Sequence, residues 1–196
     1  MTTTTATGAI RRSRGARTAT LALVTLALLV SSAATAVAAP RGGGAGPTTA
    51  PISATQYRCD VEEKAFLKLI NNYRATKGLK ALRLTKTLGA AADHHSVEMA
   101  TRNYFSHTLA GDVTWSQNIK NHGYTYNTYR GENIAAGNST ALATFNQWKN
   151  SPGHNANMLS PNFNAIGIGR AYAATSTYKT YWTTTFGGYQ DAAAVC

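Results

Sequence analysis

The chain has 196 residues and is strongly basic, with 19 Lys and Arg against 8 Asp and Glu and a formal net charge of +11. Its first 38 residues have the pattern of an export signal, and 158 residues with a charge of +7 remain without them. That length suits one domain with its own core. The remaining basic residues are scattered, without a run of like charge or a nucleic-acid motif, which argues against nucleic acid as a partner.

Residues 1–38 combine the three parts of a signal peptide. Four arginines from Arg11 to Arg17 are followed by a short apolar stretch at residues 21–30 and by the small-residue cleavage pattern Ala36-Val37-Ala38. The apolar stretch is shorter than the roughly 20 residues of a membrane-spanning helix, which argues against a transmembrane anchor. We therefore predict a secreted, extracellular protein, and the choice between ordinary and twin-arginine export stays open.

A flexible linker is predicted at residues 39–57, because Gly, Pro, Thr and Ala dominate there and large apolar side chains are almost lacking. The folded domain is predicted at residues 58–196. Its ends carry the chain's two cysteines, Cys59 and Cys196. An even number of cysteines in an exported protein is normally paired, so we expect a disulfide that joins the two ends. The alternatives are two free thiols or a metal pair, and neither Cys nor His stands nearby at ligand spacing.

Apolar residues recur at intervals of three and four in the first two thirds of the domain, the period of a helical face. Five helices follow from this pattern and from capping residues. They run from Asp60 to a stop at Gly78, over residues 85–103, 114–122 and 140–150, and, as a short helix, from Ser151 as N-cap with Pro152 in its first turn.

Two short runs rich in β-branched and aromatic residues follow, at residues 165–169 and 181–186. They predict two strands, and the polar residues 173–179 between them suit a hairpin loop. Helices first and strands last indicate an α+β domain with an antiparallel sheet covered by helices.

Single residues in this chain say little about chemistry. His107, His154 and Glu132, which stands between a glycine and an apolar turn, are each more often an ordinary hydrogen-bonded residue than a ligand or a catalyst. His94 and His95 are adjacent on a helix and cannot both face one site, and His95 shares a face with Glu98, a hydrogen-bond partner. The remaining histidine, His122, ends a helix, where the helix dipole favours a cationic ring.

Four motifs in a fixed order are more specific than any one of these residues. They are Phe105-Ser106-His107, then Gly131-Glu132-Asn133-Ile134-Ala135, then Trp148 with residues 151–159, and finally residues 166–169 with residues 181–187. The series resembles the cysteine-rich secretory, antigen 5 and pathogenesis-related (CAP) superfamily in its bacterial, SCP-like extracellular branch. The resemblance covers residues 60–190. It implies a three-layer α-β-α sandwich with a large central cleft.

In that family two His and two Glu can hold a divalent ion in the cleft. The resemblance assigns His107, Glu132 and His154 to three of these positions. The fourth carboxylate is missing, since Lys149, Asn150 and Ser151 follow Trp148. Two imidazoles and one carboxylate are still a credible set for Zn²⁺ with an open position, so we expect Zn²⁺ or Ca²⁺ there. We expect Ser151, at the place of the missing fourth ligand, and Asn133, beside Glu132, to line the cleft. Tyr129 belongs to an aromatic loop next to Glu132 that can form a lip of the cleft, and packing within the loop is the alternative.

Two functions are consistent with these residues. The first is a monomeric binding module that holds a lipid, a cell-wall polymer or a protein partner. The second is an extracellular hydrolase, a metal-assisted or serine-type peptidase, with Ser151 as nucleophile beside a His and a Glu. Ser151 is already explained as a helix cap, and no Gly-x-Ser-x-Gly elbow is present. We therefore favour the binding module, and whether the protein is an enzyme stays open.

Overall fold

The computed structural model describes residues 57–196, so the predicted signal peptide and residues 39–56 of the predicted linker lie outside the described residues. Tyr57 is described and is buried in the core. Within this range the helices and strands follow one another in a mixed order. They are α1 Val61–Ala75, β1 Arg83–Leu84, α2 Lys86–Arg102, β2 Thr108–Leu109, β3 Val113–Thr114, α3 Trp115–Asn121, β4 Arg130–Ala136, α4 Ala141–Lys149, α5 Pro152–Met158, β5 Ala165–Tyr172 and β6 Thr180–Gly187.

The main sheet has the strand order β1-β5-β6-β4. β6 lies between β5 and β4 and is antiparallel to both, whereas the two-residue strand β1 pairs with β5 in parallel. Strands β2 and β3 form a separate antiparallel pair. The α+β class is confirmed, and β1 makes the sheet mixed rather than purely antiparallel.

Helices cover both faces of this sheet, which confirms the three layers. Alternate residues of a strand point to opposite faces. On one face Ile166 and Ile168 of β5 join Trp182 of β6 in the core cluster that includes Phe66 of α1 and Trp148 of α4. On the other face the helix α2 packs against β5 and β6.

Strand β4 is the main difference from the predicted elements, because the sequence predicts an apolar turn after Glu132 and no strand there. All seven residues of β4 pair with β6, from Arg130 with Gly187 to Ala136 with Tyr181. Its residues have little strand preference of their own, and Ile134 is its one β-branched residue. Pairing with a long neighbouring strand therefore decides its conformation.

The ends of α1 follow the predicted signals. Asp60 and Glu63 form a capping box, in which Glu63 N donates to Asp60 Oδ1 over 2.8 Å and Asp60 N donates to Glu63 Oε2 over 2.8 Å. Gly78 follows the helix with a φ of 69°, a conformation that favours glycine.

Cys59 and Cys196 form the predicted disulfide, with their Cα atoms 4.8 Å apart at a sequence separation of 137. The bond joins the segment before α1 to the end of the chain. Among residues 57–196 we find no helix with the length and apolar character needed to cross a membrane.

Candidate functional site

A buried carboxylate, that of Glu132, is the centre of the polar residues between α2 and the sheet. Glu132 pairs with Thr185 in the sheet, and Thr185 donates from Oγ1 to the Leu88 carbonyl of α2, so Glu132 faces α2 as well. His95 Nδ1 donates to Glu132 Oε2 over 2.8 Å, and His107 Nδ1 donates to Oε1 over 2.8 Å. Each carboxylate oxygen therefore accepts from one imidazole.

His95 is the member of this site that the sequence did not predict. Its Nε2 lies 2.9 Å from the Ser106 carbonyl oxygen, so both ring nitrogens are held by other residues. The predicted bond between His95 and Glu98 is wrong, because Glu98 pairs with Arg102 one turn further along α2. A histidine among the apolar residues of a helix is buried and needs a polar partner. The position of His95 on the apolar face of α2 was therefore the sequence signal that could have indicated its place in the site.

His107 lies at the edge of the same carboxylate and reaches solvent, with half of its side chain exposed. The hydrogen bond to Glu132 raises the pKa of His107 above its ordinary value, burial opposes this shift, and the charge of Glu132 adds to it. Because Nδ1 donates to Glu132, Nε2 is the nitrogen on which the ring can bind something else.

His154 is held by a different residue, Ser151, whose Oγ lies 2.8 Å from His154 Nδ1. The ring also stacks on Trp148 with the centroids 6.0 Å apart. Burial lowers the pKa of His154, and the nearby His107 lowers it further. Ser151 stands at the N-cap position of α5, but its hydroxyl makes no capping bond, so the explanation of this side chain as a helix cap is wrong.

Asn133 links β4 to α5 beside these residues. Its Nδ2 donates to the His154 carbonyl over 3.1 Å, and its Oδ1 accepts from Asn157 Nδ2 over 2.8 Å. Tyr129, just before β4, is 65% exposed and accepts at its carbonyl from Gly188 N. That the Tyr129 ring lines the cleft stays a prediction.

The side chains expected to hold a metal ion are already engaged in hydrogen bonds with other residues. Among residues 57–196 no group of three or more His, Cys, Asp and Glu side chains is arranged to hold a metal ion. Glu132 accepts from an imidazole at each oxygen and so orients His107. Nε2 of His107 therefore has a lone pair for a metal ion, and Nε2 of His154 has one in the tautomer in which Nδ1 donates to Ser151 Oγ. The three-residue site of His107, Glu132 and His154 stays a prediction.

Residues 67–186 match the cysteine-rich secretory protein family, CAP. The chain belongs to this family. The Bacillus subtilis protein YkwD is 38% identical over 122 residues, which are 62% of this chain and 45% of YkwD. The membrane protein YlbC of the same organism is 31% identical over 107 residues, 55% of this chain and 31% of YlbC. The matched part of this CAP protein thus spans less than half the length of both relatives.

Solved structures of extracellular and surface proteins have the same fold. An extracellular SCP-domain protein from Bacillus anthracis superposes with a TM-score of 0.58 at 28% identity, over 65% of this chain and 40% of that one. An outer surface protein of Borrelia burgdorferi gives 0.59 at 22% identity, over 68% and 98% of the two chains, and supports the fold alone. The resemblance to the CAP superfamily is therefore confirmed.

Proposed function

We propose that this CAP domain is an extracellular binding module whose cleft holds Zn²⁺ between His107 and His154. The observation that carries the proposal is the fixed Nδ1 of each ring, held by Glu132 in one case and by Ser151 in the other. A metal-binding imidazole normally has its second nitrogen held in this way. The Glu132 carboxylate can only accept, so it sets both the tautomer and the ring direction of His107, whereas the Ser151 hydroxyl can donate or accept and sets the ring direction of His154. Imidazole nitrogen favours Zn²⁺ over Ca²⁺, which prefers oxygen ligands.

The two rings differ in their readiness to bind a metal. His154 has a lowered pKa and is neutral at neutral pH, as a ligand must be. His107 has a raised pKa, so Zn²⁺ has to displace a proton from it as the pH falls. We therefore expect Zn²⁺ affinity to weaken from neutral pH towards pH 6.

An anionic cell-wall polymer is the partner that best fits this cleft. Two protein ligands leave coordination positions of Zn²⁺ open for oxygen atoms of a ligand. Phe105 stands two residues before His107, and Tyr178 lies in the loop between β5 and β6. Their ring centroids are 6.1 Å apart. The side chains are 46% and 49% exposed and offer a surface for a sugar ring. The basic chain attracts polyanions in general.

Soaking crystals with Zn²⁺ tests the metal site directly. We expect anomalous density about 2.0–2.1 Å from Nε2 of both rings, the usual Zn–N distance. The peak should be lost in His154→Ala and kept in Lys64→Ala, a change of an exposed residue on α1. A wild-type cleft without density at saturating Zn²⁺ would refute the site.

Retention on isolated cell-wall fragments tests the partner. We expect Zn²⁺-dependent retention of the wild-type protein and at least a ten-fold loss in His154→Ala. Retention on anionic lipid vesicles but not on wall fragments would assign the cleft to lipid, and retention on neither would refute both.

The hydrolase is a second candidate because Ser151 and His154 are within hydrogen-bond distance. A serine triad needs the carboxylate on the same imidazole as the nucleophile. Here Glu132 accepts from His95 and His107, and within residues 57–196 the hydrogen-bond partner of the His154 ring is Ser151 and not a carboxylate. The proposed function therefore remains binding. Peptide hydrolysis that Ser151→Ala abolishes, with the fold intact, would reverse this choice.

A further inference from the structure

Two histidines outside the cleft, His94 of α2 and His122 at the end of α3, lie against each other. Their ring centroids are 5.0 Å apart and the ring planes are inclined by 43°. His94 precedes His95 and lies on the neighbouring face of α2, which packs against α3. Both rings are partly exposed, so an ion from solvent can reach them.

Asn118 of α3 determines which nitrogen of each ring carries the proton. Its buried Nδ2 donates to the Ala91 carbonyl over 2.9 Å, which leaves Oδ1 facing His94 Nδ1 at 2.9 Å. His94 Nδ1 is therefore the donor. His122 Nδ1 lies 2.9 Å from the Asn118 main-chain carbonyl, which can only accept. In both neutral rings the lone pair is then on Nε2, the nitrogen turned away from Asn118.

The distance between the rings fits one shared ion. An imidazole centroid lies about 3.2 Å from a metal bound at Nε2, the sum of a Zn–N bond of about 2.0–2.1 Å and about 1.1 Å from nitrogen to ring centre. Two such rings at ligand angles between about 90° and 110° have centroids about 4.5–5.2 Å apart. The observed separation of 5.0 Å lies inside this interval.

We propose that His94 and His122 form a second metal site, for a divalent transition-metal ion, on the face of α2 that packs against α3. Two imidazole nitrogens without a carboxylate select Zn²⁺, Ni²⁺ or Cu²⁺ over Ca²⁺ and Mg²⁺. Asn118 holds the second nitrogen of both rings, as the surroundings of a metal-binding histidine do. Burial lowers the pKa of His122 and the neighbouring His94 lowers it further, against the hydrogen bond to Asn118 that raises it, so the cationic ring expected at this helix end is disfavoured.

Calorimetric titration of the untagged full chain with Zn²⁺ tests this site. The double variant His107→Ala/His154→Ala removes the proposed cleft ligands, so its titration reports on the second site alone. We expect this variant to bind one Zn²⁺ ion and no Ca²⁺. Adding His94→Gln or His122→Gln should lower the Zn²⁺ affinity at least ten-fold. Lys120→Ala, an exposed change on the same helix α3, should leave it unchanged.

Nuclear magnetic resonance of the histidine rings gives a second readout that needs no variant. Zn²⁺ should shift the Nε2 resonances of His94 and His122 in the wild-type protein. A folded double variant that binds no Zn²⁺, or affinity that both Gln changes leave intact, would overturn the proposal. If the double variant does not fold, unshifted His94 and His122 resonances at saturating Zn²⁺ would do so.

Discussion

Glu132 is a carboxylate shared by two histidines of different exposure. His95 and the Glu132 side chain are almost completely buried, whereas His107 is half exposed. The buried pair contributes to stability as long as both partners are present, because removing one leaves the other buried without its partner. The exposed ring is the one that can meet a ligand. One residue therefore joins the buried core of the domain to the exposed ring of His107.

We expect Glu132→Gln to lower the free energy of unfolding by at least about 2 kcal/mol, because the amide cannot accept from both imidazoles. Urea denaturation measures this loss. The variant should also lower the pKa of His107, whose main raising cause is the bond to Glu132. In the wild type this raised pKa stabilises the fold below about pH 6.5, and the contribution is lost as the pH rises through the folded-state value. An unchanged His107 titration in the variant would contradict this explanation.

Asp93 of α2 is a carboxylate whose charge opposes folding. Burial raises its pKa to about 6, and the charge of Asp60 adds to the shift. A raised carboxyl pKa stabilises the fold at low pH, below the unfolded value of about 3.9, and this contribution is lost as the pH rises through about 6.

We therefore expect Asp93→Asn to make the protein more stable at pH 7.5, by about 1 kcal/mol or more, and to flatten the fall of stability between pH 4 and pH 7. Urea denaturation across this range, with Asp112→Asn as a control at an exposed position, measures both effects. A pH profile identical to that of the wild type would disprove the role of Asp93.

At the scale of elements, α2 lies directly on β5 because glycine occupies the strand positions beneath it. A Cβ at Gly167 would lie 2.1 Å from the main-chain carbonyl of Leu88, and one at Gly169 would lie 2.3 Å from the main-chain nitrogen of Asp93. Isoleucine and glycine thus alternate in β5 because the two faces of the strand have different neighbours. Isoleucine fills the core under α1, and glycine admits the α2 backbone.

We expect Gly167→Ala to destabilise the protein by about 3 kcal/mol, because rigid backbone would have to move to make room for the methyl group. Gly153→Ala in α5 is the matched control, since nothing lies within 4 Å of its Cβ position and alanine favours helix. Thermal and urea unfolding of both variants measure the difference. Equal stabilities would show that α2 can shift at no cost.

At the scale of the whole molecule, the disulfide joins the two ends of the domain. Cys59 and Cys196 close a loop that spans 137 residues of sequence. On the chain-entropy model a loop of this length stabilises the folded state by about 5 kcal/mol. β1 and the C-terminal segment also meet here, where Ala194 N donates to the Leu84 carbonyl.

We expect Cys59→Ser/Cys196→Ser to lower the free energy of unfolding by about 3–5 kcal/mol, mainly because the unfolded chain becomes freer. Urea denaturation of the variant, compared with the wild type with and without a reducing agent, measures this. The variant should leave the proposed binding of Zn²⁺ between His107 and His154 unchanged, because neither cysteine contacts these rings. If the reducing agent leaves the stability of the wild-type protein unchanged, the expected effect is contradicted.

The sequence by itself determined the helices, the strands β5 and β6, the disulfide and the family. Helical period, capping residues and ordered motifs are local properties of the chain, so they can be read without knowing what packs where. Thus α1 begins after Asp60 as its capping signal predicts. The paired cysteines needed only their number and an exported context.

Only the tertiary structure decided what the site residues touch. β4 is a strand because β6 pairs with it, His95 joins the site because α2 brings it to Glu132 from 37 residues away, and the Ser151 hydroxyl turns to His154 instead of capping α5. Each of these outcomes depends on the partner that a buried polar group finds across the fold. Long-range packing decides which partner that is, and the spacing of residues along the chain does not predict it.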